Sequence, residues 1–152
     1  MPPKGEARVV SLIVPVFNEQ DAITPFLDRI DGVFADLGQG YAYEVIFVND
    51  GSRDATEFVI RSRMQTDAHV TLVNLSRNFG KEAALSAGLD HAKGDACIPI
   101  DVDLQDPPEL IPEMLDHWAR GAKVVNARRS SRDDTWLKRR TAAGFWVEAV
   151  KA

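Results

Sequence analysis

The stretch IPIDVDLQDPPE, residues 98–109, sets Asp101, Asp103, Gln105 and Asp106 directly behind an apolar run and then halts the chain with Pro107 and Pro108. In an extended segment alternate side chains point the same way, so Asp101, Asp103 and Gln105 are expected on one face while Val102 and Leu104 turn into the protein. Oxygen donors with no His or Cys beside them favour a hard divalent cation, Mg²⁺ or Mn²⁺, over Zn²⁺. The plain alternative is a solvated turn in which Asp106 and the prolines start a helix. A bare D-x-D supports the turn; its place behind a buried strand supports the metal.

The surrounding pattern supplies that strand. Short, β-branched apolar runs recur at Val9–Phe17, Tyr43–Asn49, His69–Leu75, Ala96–Ile100 and Ala122–Ala127. Near-continuous runs of this kind suit strands covered on both faces. Between them Asp21–Leu37, Asp54–Thr66, Lys81–Ala92 and Pro108–Arg120 carry apolar residues at helical spacing, as in Phe26, Ile30, Val33, Phe34 and Leu37. The alternation predicts an α/β domain, a mostly parallel sheet with helices on both faces. Asp54 with Glu57 three residues on predicts a capping box, and Pro108 suits a first helical position. Pro25 would be costly inside a helix, so the first helix is expected to begin at Thr24 with that residue as its cap.

The chain has 152 residues, 45% hydrophobic and 27% charged, which is enough for one domain with a core and too little for two. A net charge of -5 argues against nucleic acid as the partner, although Arg128, Arg129, Arg132, Lys138, Arg139 and Arg140 make the last quarter locally basic. Cys97, the one cysteine, lies in an apolar run and reads as a small core residue in a reducing compartment. No run approaches a spanning helix and no leader is visible, so a cytoplasmic protein is expected, with the basic end able to hold it at the inner face of a membrane.

In open parallel sheets ligands collect beyond the carboxyl ends of the strands, which selects five loops: residues 15–19, 49–52, 76–81, 101–106 and 127–132. In NDGS, residues 49–52, Gly51 permits a positive φ that lets backbone approach a ligand, and Asp50 can accept from a base or ribose hydroxyl. An ordinary turn, with Ser52 or Asp54 capping the next helix, explains NDGS equally well. Asn18 and Glu19 carry the same ambiguity. SRNFGK, residues 76–81, places Arg77, Asn78, Gly80 and Lys81 at a helix entrance suited to a phosphate or diphosphate. Neither G-x-x-x-x-G-K-[ST] nor G-x-G-x-x-G occurs, which removes the main support for ATPase and dehydrogenase readings. Arg128, Arg129 and Arg132 are either a solvated face or forks for a metal-bound diphosphate.

Taken together, SLIVPVFNEQDAI, EVIFVNDGSRDAT, VNLSRNFGKEAALSAGLDHAKGD, IDVDLQDPPELIPEML and ARRSSRDDTWLKRRTA resemble the family 2 glycosyltransferases of the GT-A fold. The resemblance runs from about Val9 to Ala143 and is strongest to the polyprenyl-phosphate branch, similar to dolichol-phosphate mannose synthase. It implies a single GT-A, Rossmann-like domain. In the family's pattern Pro15, Val16, Asn18 and Glu19 match the wall of the nucleotide site, Asp50 and Ser52 the loop against base and ribose, and Arg77 and Lys81 a loop flanking the donor. Asp101 matches a position near ribose and phosphate, Asp103 and Gln105 the metal ligands, and Arg128 and Arg132 a phosphate clamp. The implied reaction moves a sugar from a nucleoside diphosphate to an acceptor with inversion, Mg²⁺ or Mn²⁺ together with Asp103, Arg128 and Arg132 answering the charge on the leaving group. A polyprenyl-phosphate acceptor is already anionic and needs little general base; a hydroxyl acceptor would require a carboxylate.

On this reading residues 1–8 are an N-terminal tail, 9–143 bind the nucleotide sugar, and 144–152 are a truncated C-terminal tail. The family's pattern continues beyond this point through an acceptor-facing segment, so the expectation includes a fragment, a degraded gene product, or one part of a split assembly, with a homo-oligomer or a complementing subunit among the expected partners. The competing reading is a non-catalytic nucleotide-binding or partner-binding module. A phosphoacceptor domain is a third, because Asp50 also ends a strand, but the first strand offers only Asn18 and Glu19 where such sites need an acidic pair.

Overall fold

In the computed structural model, which describes residues 5–126 and 146–149, strands and helices alternate along the chain as the apolar runs require. The order is β1 (Arg8–Val16), α1 (Ile23–Leu37), β2 (Tyr41–Asn49), α2 (Thr56–Met64), β3 (Val70–Asn74), α3 (Lys81–His91), β4 (Ala96–Pro99), α4 (Ile111–Ala119), β5 (Val124–Asn126) and β6 (Trp146–Ala149). They form one six-stranded sheet in the order β3-β2-β1-β4-β6-β5. β1 pairs in parallel with both β2 and β4, and β2 with β3. The strands reach a common carboxyl edge, where Val16 stands opposite Asn49 and Asn49 opposite Asn74.

The sheet is buried on both sides, which is why its strands lack an alternating polar face. Leu12, Val14, Val45 and Phe47 point to one side and join Phe26, Leu27 and Ile30 of α1, Ile60 of α2, and Ile111 and Leu115 of α4. Ile13, Ile46 and Val48 point to the other and meet Ala84 of α3. The close approach of α3 depends on Gly88, whose missing Cβ would fall 3.0 Å from Val48 Cγ2 and closer still to Ile13 Cγ2. Cys97 is fully buried in β4, as expected of a core residue.

Four expectations need correction. Residues 146–149, assigned to a tail, form β6, which runs antiparallel between β4 and β5 and is bonded to both. Four residues are too few for a periodic signal, and only the gap beside β4 defines the strand. Helix α1 begins at Ile23 behind Ala22 with no side-chain cap, so Thr24 is not the cap. Pro25 is tolerated because it lies in the first turn, where its missing N–H has no helical partner. The capping box of α2 does not form: the helix starts behind Ala55 with no side-chain cap, Asp54 Oδ1 accepts from the Thr56 amide at 3.0 Å, and Glu57 turns to Arg61 and Asn74. Finally, β4 ends at Pro99 and residues 102–106 are turns and bends, not a continued strand, with Leu104 at φ 62°.

Candidate functional site

Loops from four strands meet above the carboxyl edge. The first two are stitched together by side chains bonding to backbone. The Asn18 amide donates to Ser52 Oγ (2.9 Å), while Asn18 Oδ1 accepts from the Arg53 amide (2.8 Å). The Glu19 amide donates to Thr56 Oγ1 at 2.9 Å, and Gln20 Oε1 accepts from the Ala55 amide at 2.9 Å. Asn18 adopts φ 51°, a left-handed conformation that Asn tolerates better than most residues. Burial pushes the Asp54 carboxyl up, but the Thr56 hydroxyl and amide and the Gln20 amide outweigh it and hold it below its ordinary value.

Asp50 ties this pair to the third loop. It is 5% exposed, and its Oδ1 and Oδ2 accept from the Phe79 and Gly80 amides at 2.7 and 3.1 Å. Gly51 has the expected positive φ, 76°, but the close neighbour is this loop, not open space for a ligand: an added Cβ would lie 2.5 Å from the Asn78 nitrogen and 2.7 Å from the Arg77 carbonyl carbon. With Phe79 and Gly80 pinned, helix α3 starts at Lys81, and its ammonium reaches Asp101 Oδ1 of the fourth loop at 2.7 Å.

A cleft of about 350 Å³ opens between these loops, lined by Pro15, Val16, Phe17, Glu19, Asp50, Lys81, Asp101 and Asp103 among others. A second, of about 590 Å³, adjoins it at Phe17 and Asn78 and is lined by Asn18, Gly51, Ser52, Arg53, Glu57 and Arg77 among others. The expected site residues are therefore divided. Pro15, Val16, Glu19, Asp50, Lys81, Asp101 and Asp103 share the first cleft, whereas Asn18, Ser52 and Arg77 belong to the second. Arg77 lies 4.4 Å over the Phe79 ring. Gln105 lines neither cleft; it is exposed, and its amide donates to Asp103 Oδ1 at 3.1 Å. Arg128 and Arg132 lie outside the described residues. Phe17, 45% exposed and common to both clefts, was hidden in the sequence because it reads as the last residue of an apolar strand.

The first cleft is electrically one-sided. Burial pushes the Glu19 carboxyl up, and Asp103, Asp101 and Asp54 push it further. Val102 is buried at the base of the cleft between Asp101 and Asp103, which both line it, and Leu104 packs against the core, although the chain is not extended. The expected convergence of Asp101, Asp103 and Gln105 as three oxygen ligands on a strand face is thus replaced by two carboxylates in a turn. Among the described residues no three His, Cys, Asp or Glu side chains cluster as a ready metal cage. Oxygen donors of this number fit Mg²⁺ or a similar hard ion, which is commonly held by one or two carboxylates together with substrate phosphates and water.

Known proteins resemble this chain in sequence and in fold. The chain is 52% identical over 138 residues to a prophage bactoprenol glucosyl transferase homolog of Escherichia coli, spanning 90% of this chain and 44% of that protein. It is equally similar, 52% over 138 residues with the same coverage, to the bactoprenol glucosyl transferase of Shigella phage SfV. The chain thus spans less than half the length of these relatives. Among solved structures, a mannosyltransferase from Pyrobaculum calidifontis in complex with GDP-Man and Mn²⁺ superposes with a TM-score of 0.69 at 24% identity, over 97% of this chain and 46% of that one, and its likeness establishes the GT-A fold. The family model described as glycosyl transferase family 2 matches residues 11–150. With 140 of its 152 residues inside that match, the chain belongs to glycosyl transferase family 2.

Proposed function

We propose that residues 9–143 bind a nucleoside-diphosphate sugar and that the protein transfers the sugar to a polyprenyl phosphate with inversion. The single observation that carries this reading is the cleft in which Glu19, Asp50, Lys81, Asp101 and Asp103 meet from four separate loops. The bactoprenol glucosyl transferases among its relatives, and a fold neighbour holding GDP-Man and Mn²⁺, support the substrate class.

In this proposal Pro15, Val16 and Glu19 wall the nucleotide, with Asn18, Ser52 and Arg77 on the base side in the second cleft. Asp101 and Asp103 would hold a divalent cation, and Gln105, which lines neither cleft, would reach it only by turning toward Asp103. Bound there, Mg²⁺ or Mn²⁺ supplies positive charge against the diphosphate as it departs. Lys81 offers an ammonium to the phosphates from the opposite wall, and Arg128 and Arg132 are proposed to close on them as guanidinium forks. Preplaced charge of this kind is worth more in a cleft than in water, because it need not reorganise as the bond breaks. An acceptor that is already an anion needs no base from the protein. Among the described residues no helix is long and apolar enough to cross a membrane. The proposed meeting with a lipid phosphate is at the cytoplasmic face of a membrane, aided by the basic run from Arg128 to Arg140.

Calorimetry with UDP- and GDP-sugars, with and without Mn²⁺, tests donor binding: metal-dependent binding of at least one is expected, and silence in every combination sinks the reading. Transfer of radiolabelled sugar to polyprenyl phosphate then separates an enzyme from a donor-binding module.

A further inference from the structure

The ion pair between Lys81 and Asp101 joins two groups that the proposed donor complex needs for other partners. Its Nζ–Oδ1 distance is 2.7 Å, while the side chains remain 60% and 38% exposed. Lys81 does not arrive there by a flexible tether alone. It is the first residue of α3, and the two residues before it are fixed by Asp50 through the Phe79 and Gly80 amides. The fold therefore delivers an ammonium to one wall of the cleft and a carboxylate to the other. Asp103 and Glu19 line the same space. One ammonium does not neutralise them, since Asp103 and Asp101 still push the Glu19 carboxyl up after its own burial has done so.

A divalent cation drawn to Asp101 and Asp103 would meet the ammonium at the same oxygen, and two cations at one carboxylate repel. An exposed ion pair is easily exchanged, because it shifts an equilibrium by no more than about fivefold. We propose that Lys81 is a resident counter-ion of the acidic corner: it neutralises Asp101 in the empty cleft, yields that carboxylate to the divalent cation when donor binds, and turns to the donor's phosphates. This rests on the donor-binding reading above and adds an order of events to it. Metal and nucleotide then bind well only together, since metal alone must displace Lys81 with nothing to receive it.

The signature is a pair of effects with opposite sign in Lys81→Met, which keeps the apolar stem and removes the charge. Binding of Mn²⁺ alone, followed by the paramagnetic resonance of the free ion, is expected to tighten about twofold to fivefold. Binding of UDP or GDP in saturating Mn²⁺, followed by calorimetry, is expected to weaken about tenfold or more with loss of a charged hydrogen bond. Mn²⁺ binding that is unchanged or weaker in folded Lys81→Met overturns the counter-ion proposal and leaves the donor reading standing. Failure of the unaltered chain to bind either nucleotide removes both. A crystal of the unaltered chain with Mn²⁺ and UDP gives an independent readout. Lys81 Nζ on a phosphate oxygen supports the exchange, and a retained bond to Asp101 beside bound nucleotide overturns it.

Discussion

The loops that follow β1 and β2 and the loop that follows β4 sit side by side at one edge of the sheet, yet they are built on opposite terms. In the first pair the polar side chains serve the backbone: Asn18, Gln20, Ser52, Asp54 and Thr56 bond across the two loops, and Asp50 extends the lattice to Phe79 and Gly80. In the loop after β4, Asp103 is exposed and accepts from the Gln105 amide, and half-exposed Asp101 pairs across the cleft with an ammonium that water also reaches. The first region is a wall and the second a charge. A binding cleft needs both, since a carboxylate fully committed to the protein's own amides has less to offer a cation, and an unsupported loop cannot place one.

Substitutions can break this contrast, and the largest effect is expected in the wall. Gly51→Ala would drive a methyl group against the backbone of Arg77 and Asn78, which cannot rotate away, and at a positive φ. A loss of about 3 kcal/mol or more is expected from overpacking plus left-handed strain, measured by urea unfolding. Asp50→Asn comes next. An amide can accept at one oxygen only, so one of the two part-buried backbone amides loses its partner and stability falls by about 1 kcal/mol. If Asp50→Asn unfolds at the same urea concentration as the unaltered chain, the lattice is not what holds the third loop.

The charged loop should respond in the other direction. Asp103→Ala is expected to leave stability within about 0.5 kcal/mol, as for most exposed positions, while weakening Mn²⁺-dependent nucleotide binding about tenfold or more. Asp106→Ala is expected to change that binding much less, because Asp106 does not line the cleft. Equal losses from the two would remove Asp103 from the metal site. The smallest effect is a gain. Because the folded state raises the Glu19 pKa above its ordinary 4.5, the ionised carboxylate opposes folding once the pH exceeds that value. Without divalent cation, Glu19→Gln should therefore raise Tm slightly at pH 7, and the gain should vanish as the pH falls below about 4, where Glu19 is protonated in both states. Added Mn²⁺ should shrink the gain at neutral pH, since a bound cation favours the ionised form.

How far the residues spoke for themselves differs between these regions in the same way. The parallel strands and their helices were legible because burial on both faces demands unbroken apolar runs, and NDGS and DVDLQD announced themselves by following such runs. Asp101 and Asp103 were placed in the cleft for a partly mistaken reason: the chain there is a turn, not an extended strand, with Val102 and Leu104 packed inward. The partners of Asp50 were not legible, because Phe79 and Gly80 lie far along the chain and backbone amides carry no sequence signal.

The sequence by itself determined the layered α/β architecture, the family, and the chemical character of each loop, since these follow from local periodicity and from residue types that act wherever they are placed. Only the tertiary structure decided that β6 fills the space beside β4, that Asn18, Ser52 and Arg77 line a different cleft from the acidic corner, and that Lys81 closes on Asp101. Those are distances between segments remote in sequence, set by how strands order themselves in the sheet and by which backbone amides a buried carboxylate captures.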